Sequence, residues 1–170
     1  FAVNSQELRR MSMDAVLDER TLREIYITAF EIAIKEGRPK SIMTSYNMVN
    51  GVYANENEHL LKDILKKDIG FEGMVVTDWG ASNDHALGVK NGSSLEMPAP
   101  GLDSARELLK ALKTGKIDES DIDARVDELI EITLYTKNKK KIKDKEKLLK
   151  DNNKLAREAA VKSIVLLKNE

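Results

Sequence analysis

The sequence predicts an α/β fold assembled from parallel βαβ units, and three observations carry that prediction. Strand, loop and helix patterns follow one another three times, starting at Ser41, Gly70 and Ser94. The central strand, Met74-Val75-Val76, is a short continuous apolar run rich in β-branched residues, the pattern of a strand buried on both faces. Each strand ends in polar residues, so three polar loops gather at carboxyl ends, joined by right-handed crossovers. A doubly wound sheet and a slice of a (β/α)₈ barrel both fit. A whole barrel takes about 250 residues, so the 170 residues present cannot close one alone.

In order along the chain, residues 1–17 are polar and specify no element. Asp18 can cap a helix whose stripe is Leu22, Ile25, Tyr26, Ala29, Phe30 and Ala33, stopped by Gly37 and Pro39. Tyr26 and Phe30 read as core. Ser41–Tyr46 is the first strand of the repeat, followed by a loop marked by the pair Asn50-Gly51. Asn57 can cap a second helix with the stripe Leu60, Leu61, Ile64 and Leu65. The strand in Gly70–Gly80 follows, then a short segment from Asn83 to Lys90 and a third strand, Ser94–Met97, closed by Pro98. Asp103 can cap a helix carrying Leu108, Leu109 and Leu112, stopped by Gly115. Ser120 opens a further helix with Ile122, Val126, Leu129, Ile130 and Thr133 on one face. From Lys137 to Lys150, eight of fourteen residues are lysine, with neither arginine nor an interleaved aromatic, which reads as a solvated linker rather than a polyanion site. A helix over Leu155–Val161 and an apolar strand over Ser163–Leu167 then resume.

Composition narrows the function classes. A hydrophobic share of 41% supports a real core. A formal net charge of −1 argues against general nucleic-acid binding, and no apolar run reaches the length of a membrane span. With no cysteine and two histidines, His59 and His85, thiolate and multi-histidine metal centres are not expected. The chain opens on Phe1 rather than methionine and reads as part of something longer.

The chemistry-bearing stretch is Thr77-Asp78-Trp79-Gly80. Asp78 ends the apolar strand beside the single tryptophan. Carboxyl ends of strands are where α/β folds bind ligands and do chemistry, although a strand-end Asp also serves as a turn former or cap.

Three stretches together carry a family signature: Met43-Thr44-Ser45-Tyr46-Asn47-Met48-Val49-Asn50-Gly51, Asn55-Glu56-Asn57, and Gly70-Phe71-Glu72-Gly73-Met74-Val75-Val76-Thr77-Asp78-Trp79-Gly80-Ala81. They closely resemble the β-glucosidase-type enzymes of glycoside hydrolase family 3. Leu95-Glu96-Met97-Pro98 matches the last barrel strand of that family, and residues 156–170 resemble the start of its second, α/β sandwich domain. The resemblance implies the last three βα units of a (β/α)₈ barrel in residues 1–136, a lysine-rich linker at 137–153 and a truncated sandwich domain at 154–170. It implies a retaining β-glycosidase acting on a small β-glycoside or oligosaccharide, with no cofactor or metal, no nucleic-acid or membrane partner, and the rest of its own barrel and sandwich domain, or another copy of the fragment, as protein partner.

Carried over residue by residue, Asp78 is the nucleophile of the family's Asp-Trp motif. Tyr46 lines the sugar subsite beside it, Trp79 flanks the aglycone side, and Met43 is a weaker subsite candidate for which core packing is the preferred reading. The family's acid/base is a glutamate of the later domain, and Glu96 reads as packing. His59 and His85 gain no role. Two departures stand out. The family's Lys-His dyad directly precedes the position of Phe1, and Gly92-Ser93-Ser94 replaces the usual Gly-Leu-Asp. The isolated chain is therefore expected to hydrolyse nothing, and the hydrogen bonds of the missing Asp on the last strand are open to change.

Overall fold

The computed structural model describes residues 1–137 and 143–168. The chain divides into two compact units, Phe1–Thr136 and Lys137–Glu170. The first is α/β. Its central parallel pair is β2 (Ser41–Met43) beside β5 (Met74–Val76), in the register Ser41 to Met74 and Met43 to Val76. A second small sheet has the order β1 (Asp14–Ala15), β3 (Met48–Val49) and β4 (Val52–Tyr53).

Residues 1–3 are part of the core rather than a loose tail. Phe1, Ala2 and Val3 are buried, and Ser45 donates its amide to the Phe1 carbonyl at 2.9 Å. Their burial was illegible because three residues are too few to show a period. The Asn50-Gly51 loop is the turn of the β3–β4 hairpin. Both residues have positive φ, 51° and 85°, as a two-residue type I′ turn requires.

The first helix, α1, spans 19–37: Glu19–Thr21, a π-helical stretch Leu22–Ile27, and Thr28–Gly37. Asp18 caps it as expected, accepting from Thr21 N at 2.9 Å. Its terminal left-handed residue is Arg38 rather than Gly37. The π turn adds a residue and rotates the buried face. Leu22, Ile27 and Ile34 are buried with Tyr26 and Phe30 packed on the core, while Ile25 of the expected stripe is 68% exposed. The second helix, α2 (His59–Asp68), is π-helical along its length and still buries the expected stripe. Asn57 Oδ1 accepts from Leu60 N at 3.1 Å, and Leu60, Leu61, Ile64 and Leu65 are all fully buried.

His59 joins these two helices. Its Nε2 lies 2.9 Å from Glu19 of α1 and its Nδ1 3.1 Å from Asp63 of α2, so only the doubly protonated ring satisfies both carboxylates. Partial burial opposes the charge, but the bonds and charges of Glu19 and Asp63 outweigh it and hold the imidazole above its ordinary pKa of 6.5. A raised histidine pKa gives stability that is complete below 6.5 and lost as pH rises through the folded value. The melting-temperature advantage of the wild type over His59→Gln is therefore expected to shrink as pH rises above 6.5, and an advantage that does not change with pH would refute the assignment.

Two further expectations, the strand at Ser94–Met97 and the cap at Asp103, are corrected. Ser94–Met97 forms a single parallel bridge, Leu95 to Val76, instead of a strand, because Val75 N donates to the Ser94 hydroxyl at 2.9 Å in place of a main-chain carbonyl. The segment 83–90 holds α3 (His85–Asn91), capped by Asp84. In α4 (Leu102–Lys113), Asp103 lies inside the helix and pairs with Arg106 at 3.1 Å, with Gly101 at the cap position. Gly115 ends this helix region with φ of 69°.

The last helix of this unit, α5 (Glu119–Lys137), starts before Ser120. It turns Arg125 and Glu128 inward, where Glu128 meets Lys66 at 2.8 Å, Arg125 at 3.0 Å and the Ser94 hydroxyl. Val126 and Ile130 of the expected apolar face stay exposed. Buried charges need partners, and these three fix the rotation of the helix. The strand expected to be covered on both faces is covered on one: Val75 is fully buried, while Met74 and Val76 are half-buried.

In the second unit, α6 (Lys145–Ser163) starts at the Asp144 cap, so part of the expected linker is helical. Residues 138–142 of that lysine run lie outside the described residues. The expected strand Ser163–Leu167 is absent. Ser163 ends the helix, and Ile164–Leu167 are irregular and exposed, since a strand requires a partner for its amides and carbonyls.

Candidate active site

The carboxyl ends of β2 and β5 converge because the two strands are parallel and in register. Thr44 extends the ladder past β2, donating its amide to Val76 O at 3.0 Å. Tyr46 and Asp78 thus come together, each a few residues beyond its strand. Tyr46 is buried, and its hydroxyl donates to the Trp79 carbonyl at 2.8 Å. Burial first, and then the negative charge of Asp78 beside it, raise the tyrosine's pKa above the usual value of 10. The phenol therefore stays protonated and remains a donor throughout the neutral range.

Asp78 is half-buried, and its Oδ1 accepts from Trp79 N at 2.6 Å. The turn after it is pinned at several points. Gly80 N donates to Met97 O at 2.7 Å, and Ala81 N donates to Asp78 O at 3.0 Å. Thr77 Oγ1 accepts from Met97 N at 2.8 Å. Gly80 takes φ of 79°, a conformation that favours glycine and lets the chain reverse directly after the tryptophan. Trp79 is 63% exposed and Met43 50% exposed, so core packing accounts for neither. Both present apolar surface on the ledge that carries Asp78.

Arg10 is the residue of this site that sequence reasoning missed. Its guanidinium lies over the Tyr46 ring, 4.4 Å from the centroid, and pairs with Glu7 at 3.0 Å. The segment around it carries no helical or strand period, so nothing local announced the placement. The cation stacked on the tyrosine works against burial and Asp78, pulling the phenol's pKa down.

The remaining titratable groups near this turn pair among themselves. Glu56, in the 3₁₀ turn Ala54–Glu56, is buried and accepts from the amides of Asn83 and Asp84. Burial raises its pKa, partly offset by those amides. His85, without a role in the sequence reading, has Nδ1 2.9 Å from Glu96 and 3.0 Å from the Ser82 hydroxyl. Its Nε2 faces Glu107 at 3.8 Å, so the ring sits between two carboxylates, and the serine shares Nδ1 with one of them. Burial also raises the pKa of Glu96, opposed by His85. Among the described residues, no group of three His, Asp or Glu is placed to hold a metal ion, and no helix is long and apolar enough to cross a membrane.

Arranged this way, the site offers a half-buried carboxylate, a neutral phenol, a guanidinium over that phenol and an open aromatic face. That set suits a polyhydroxylated ligand with one electrophilic carbon.

Comparison with known proteins gives the same direction. Residues 10–132 match the model of the glycosyl hydrolase family 3 N-terminal domain. Thermostable β-glucosidase B of Acetivibrio thermocellus is 43% identical over all of this chain, which corresponds to 22% of that protein. An exo-α-(1→6)-L-arabinopyranosidase of Bifidobacterium breve is 38% identical, again over all of this chain and 22% of its own length. The structure of β-glucosidase 3B from Thermotoga neapolitana in complex with α-D-glucose superposes with a TM-score of 0.89 at 37% identity, covering 100% of this chain and 25% of that one. The chain thus spans roughly a quarter or less of the relatives it matches.

Proposed function

The chain belongs to glycosyl hydrolase family 3, and on that premise we propose that it is the nucleophile-bearing segment of a retaining β-glycosidase. Residues 1–136 are read as the last three βα units of a (β/α)₈ barrel. Residues 137–153 are the passage out of it, and 154–170 the beginning of a second, sandwich domain. The observation that carries the functional reading is the convergence of Asp78, Tyr46 and Arg10 at the ends of two parallel strands.

In this reading the Asp78 carboxylate attacks the anomeric carbon, the bond to the leaving oxygen breaks, and a glycosyl-enzyme ester forms. A second carboxyl group about 5–5.5 Å away protonates the leaving oxygen and later deprotonates the water that cleaves the ester. That group is assigned to the later domain. Tyr46 fixes the Asp78 turn by donating to the Trp79 carbonyl, and its oxygen can accept from a sugar hydroxyl. Arg10 offsets the local negative charge and donates to sugar hydroxyls. Trp79 stacks on the aglycone and Met43 lines the sugar subsite. The substrate is a β-D-glucoside or an α-L-arabinopyranoside, whose glycosidic bonds are both equatorial.

The test is a chimera in which this chain replaces its counterpart in the Acetivibrio thermocellus relative. A 2-deoxy-2-fluoro glycoside with a good leaving group destabilises the oxocarbenium-like transition state, so the ester accumulates. Peptide mapping is expected to find the added sugar mass on the peptide containing Asp78. Turnover of the unfluorinated glycoside with inversion, or a label on another carboxylate, would refute the assignment. Sugar binding without any turnover would favour a silent sugar-binding module instead.

A further inference from the structure

Glu56 is a buried carboxylate that the proposed chemistry does not use. It is 4% exposed, yet its Oε1 accepts from two consecutive main-chain amides, Asn83 at 2.7 Å and Asp84 at 2.9 Å. Its own carbonyl accepts from Asn91 Nδ2 at 2.7 Å. Asp84 in turn caps α3 through Leu87 N at 2.9 Å, and Gly88 of that helix packs so closely that a Cβ there would lie 3.1 Å from Asn55 Nδ2. The turn 54–56 therefore grips both ends of α3.

What Glu56 holds is the far end of the Asp78 turn. The near end is fixed by Tyr46 on the Trp79 carbonyl and by Gly80 on Met97. Only the stretch 79–82 separates Asp78 from the gripped amides. A loop this short, fixed at both ends, has few alternative paths, and releasing one end frees all of it. Keeping a carboxylate buried is costly unless its acceptors are used, and here one oxygen serves two donors.

We propose that Glu56 is the positioning residue of the nucleophile turn, setting the place of Asp78 and Trp79 by anchoring the amides of Asn83 and Asp84. This rests on the reading of Asp78 as nucleophile, but the test below does not depend on turnover, so the two can fail separately.

Amide hydrogen exchange on the 170-residue chain, resolved residue by residue, decides it. In Glu56→Ala and Glu56→Asp, exchange is expected to rise about tenfold or more at Asn83 and Asp84, and also at Trp79 and Gly80, with the β2 and β5 amides unchanged. Glu56→Gln keeps a carbonyl oxygen that can accept from both amides, and is expected to restore protection at all four. Glu56→Asp, which keeps the charge but withdraws it by one methylene, decides the matter if the alanine variant does not fold. Wild-type protection at Trp79 and Gly80 while Asn83 and Asp84 exchange freely would make Glu56 a local cap and overturn the proposal. A uniform rise over the whole chain in the aspartate variant would overturn it as well.

Discussion

Replacing Asp78 with alanine in the chimeric enzyme is expected to lower turnover of an aryl β-glucoside by about 10³-fold or more. A serine or cysteine cannot take over, because a glycosyl ester needs a carboxylate held at the sugar's anomeric face. The loss belongs to chemistry rather than to folding. The Asp78 side chain bonds the adjacent Trp79 amide and faces the Tyr46 hydroxyl, and the turn keeps its ties through Gly80 and Ala81. A small anion such as azide can occupy the space left by the carboxylate. Partial recovery of turnover with added azide, giving a glycosyl azide of inverted configuration, is the expected signature of a missing nucleophile. Turnover within tenfold of the parent in the alanine variant would end the nucleophile assignment.

The second large effect is on stability. Leu61→Ala removes a fully buried side chain from the centre of the main core, where α2 meets Leu22, Val49 and Val75. Such truncations cost about 2–5 kcal/mol through lost transfer energy and the cavity left behind. That is a large part of the roughly 5–15 kcal/mol that keeps an ordinary domain folded. Urea unfolding should show the loss as a lower midpoint at unchanged slope. Ile25→Ala is the matching control. Ile25 belongs to the apolar stripe that a regular helix would bury, yet it is exposed, so its truncation should stay within about 0.5 kcal/mol. Equal costs for the two variants would mean that α1 keeps a regular phase and that the π turn is not formed in solution.

This pair of leucine and isoleucine marks where sequence reading works. In α2 the cap Asn57 and the stripe Leu60, Leu61, Ile64 and Leu65 were all legible, because neighbouring pairs four residues apart share a face in either an α- or a π-helix. In α1 the cap Asp18 was legible and the buried face was not, because the winding changes partway along the helix and shifts the phase. Across α5 the apolar stripe was right in part, with Ile122 and Leu129 half-buried but Val126, Ile130 and Thr133 exposed. The inward face is decided by Glu128 meeting Lys66 and Ser94, residues distant in sequence.

The candidate site divides in the same way. Asp78, Tyr46 and Trp79 were named from strand-end motifs through a family resemblance, whereas Met43, for which core packing was the preferred reading, is half exposed. Arg10 and Glu56 were not assigned roles, since neither has a local pattern that points to one. Arg10 gains its meaning by lying over a tyrosine thirty-six residues away. Glu56 gains its meaning from two amides that follow the next strand. The departure at Ser94 was visible in the sequence, but its effect was not. A hydroxyl accepting the Val75 amide reduces the expected strand to a single bridge.

By itself, then, the sequence determined the α/β class, the family, the strand that presents Asp78 and the caps of the helices at Asp18 and Asn57. The family rested on a resemblance over several stretches, and the other features depend on propensity, period and side-chain chemistry within a dozen residues. Tertiary structure alone decided which helix faces turn inward, how residues 1–3 enter the core and what surrounds Asp78. Each of these is settled by hydrogen bonds, charges and packing between segments far apart in the chain, whose energies no local pattern encodes.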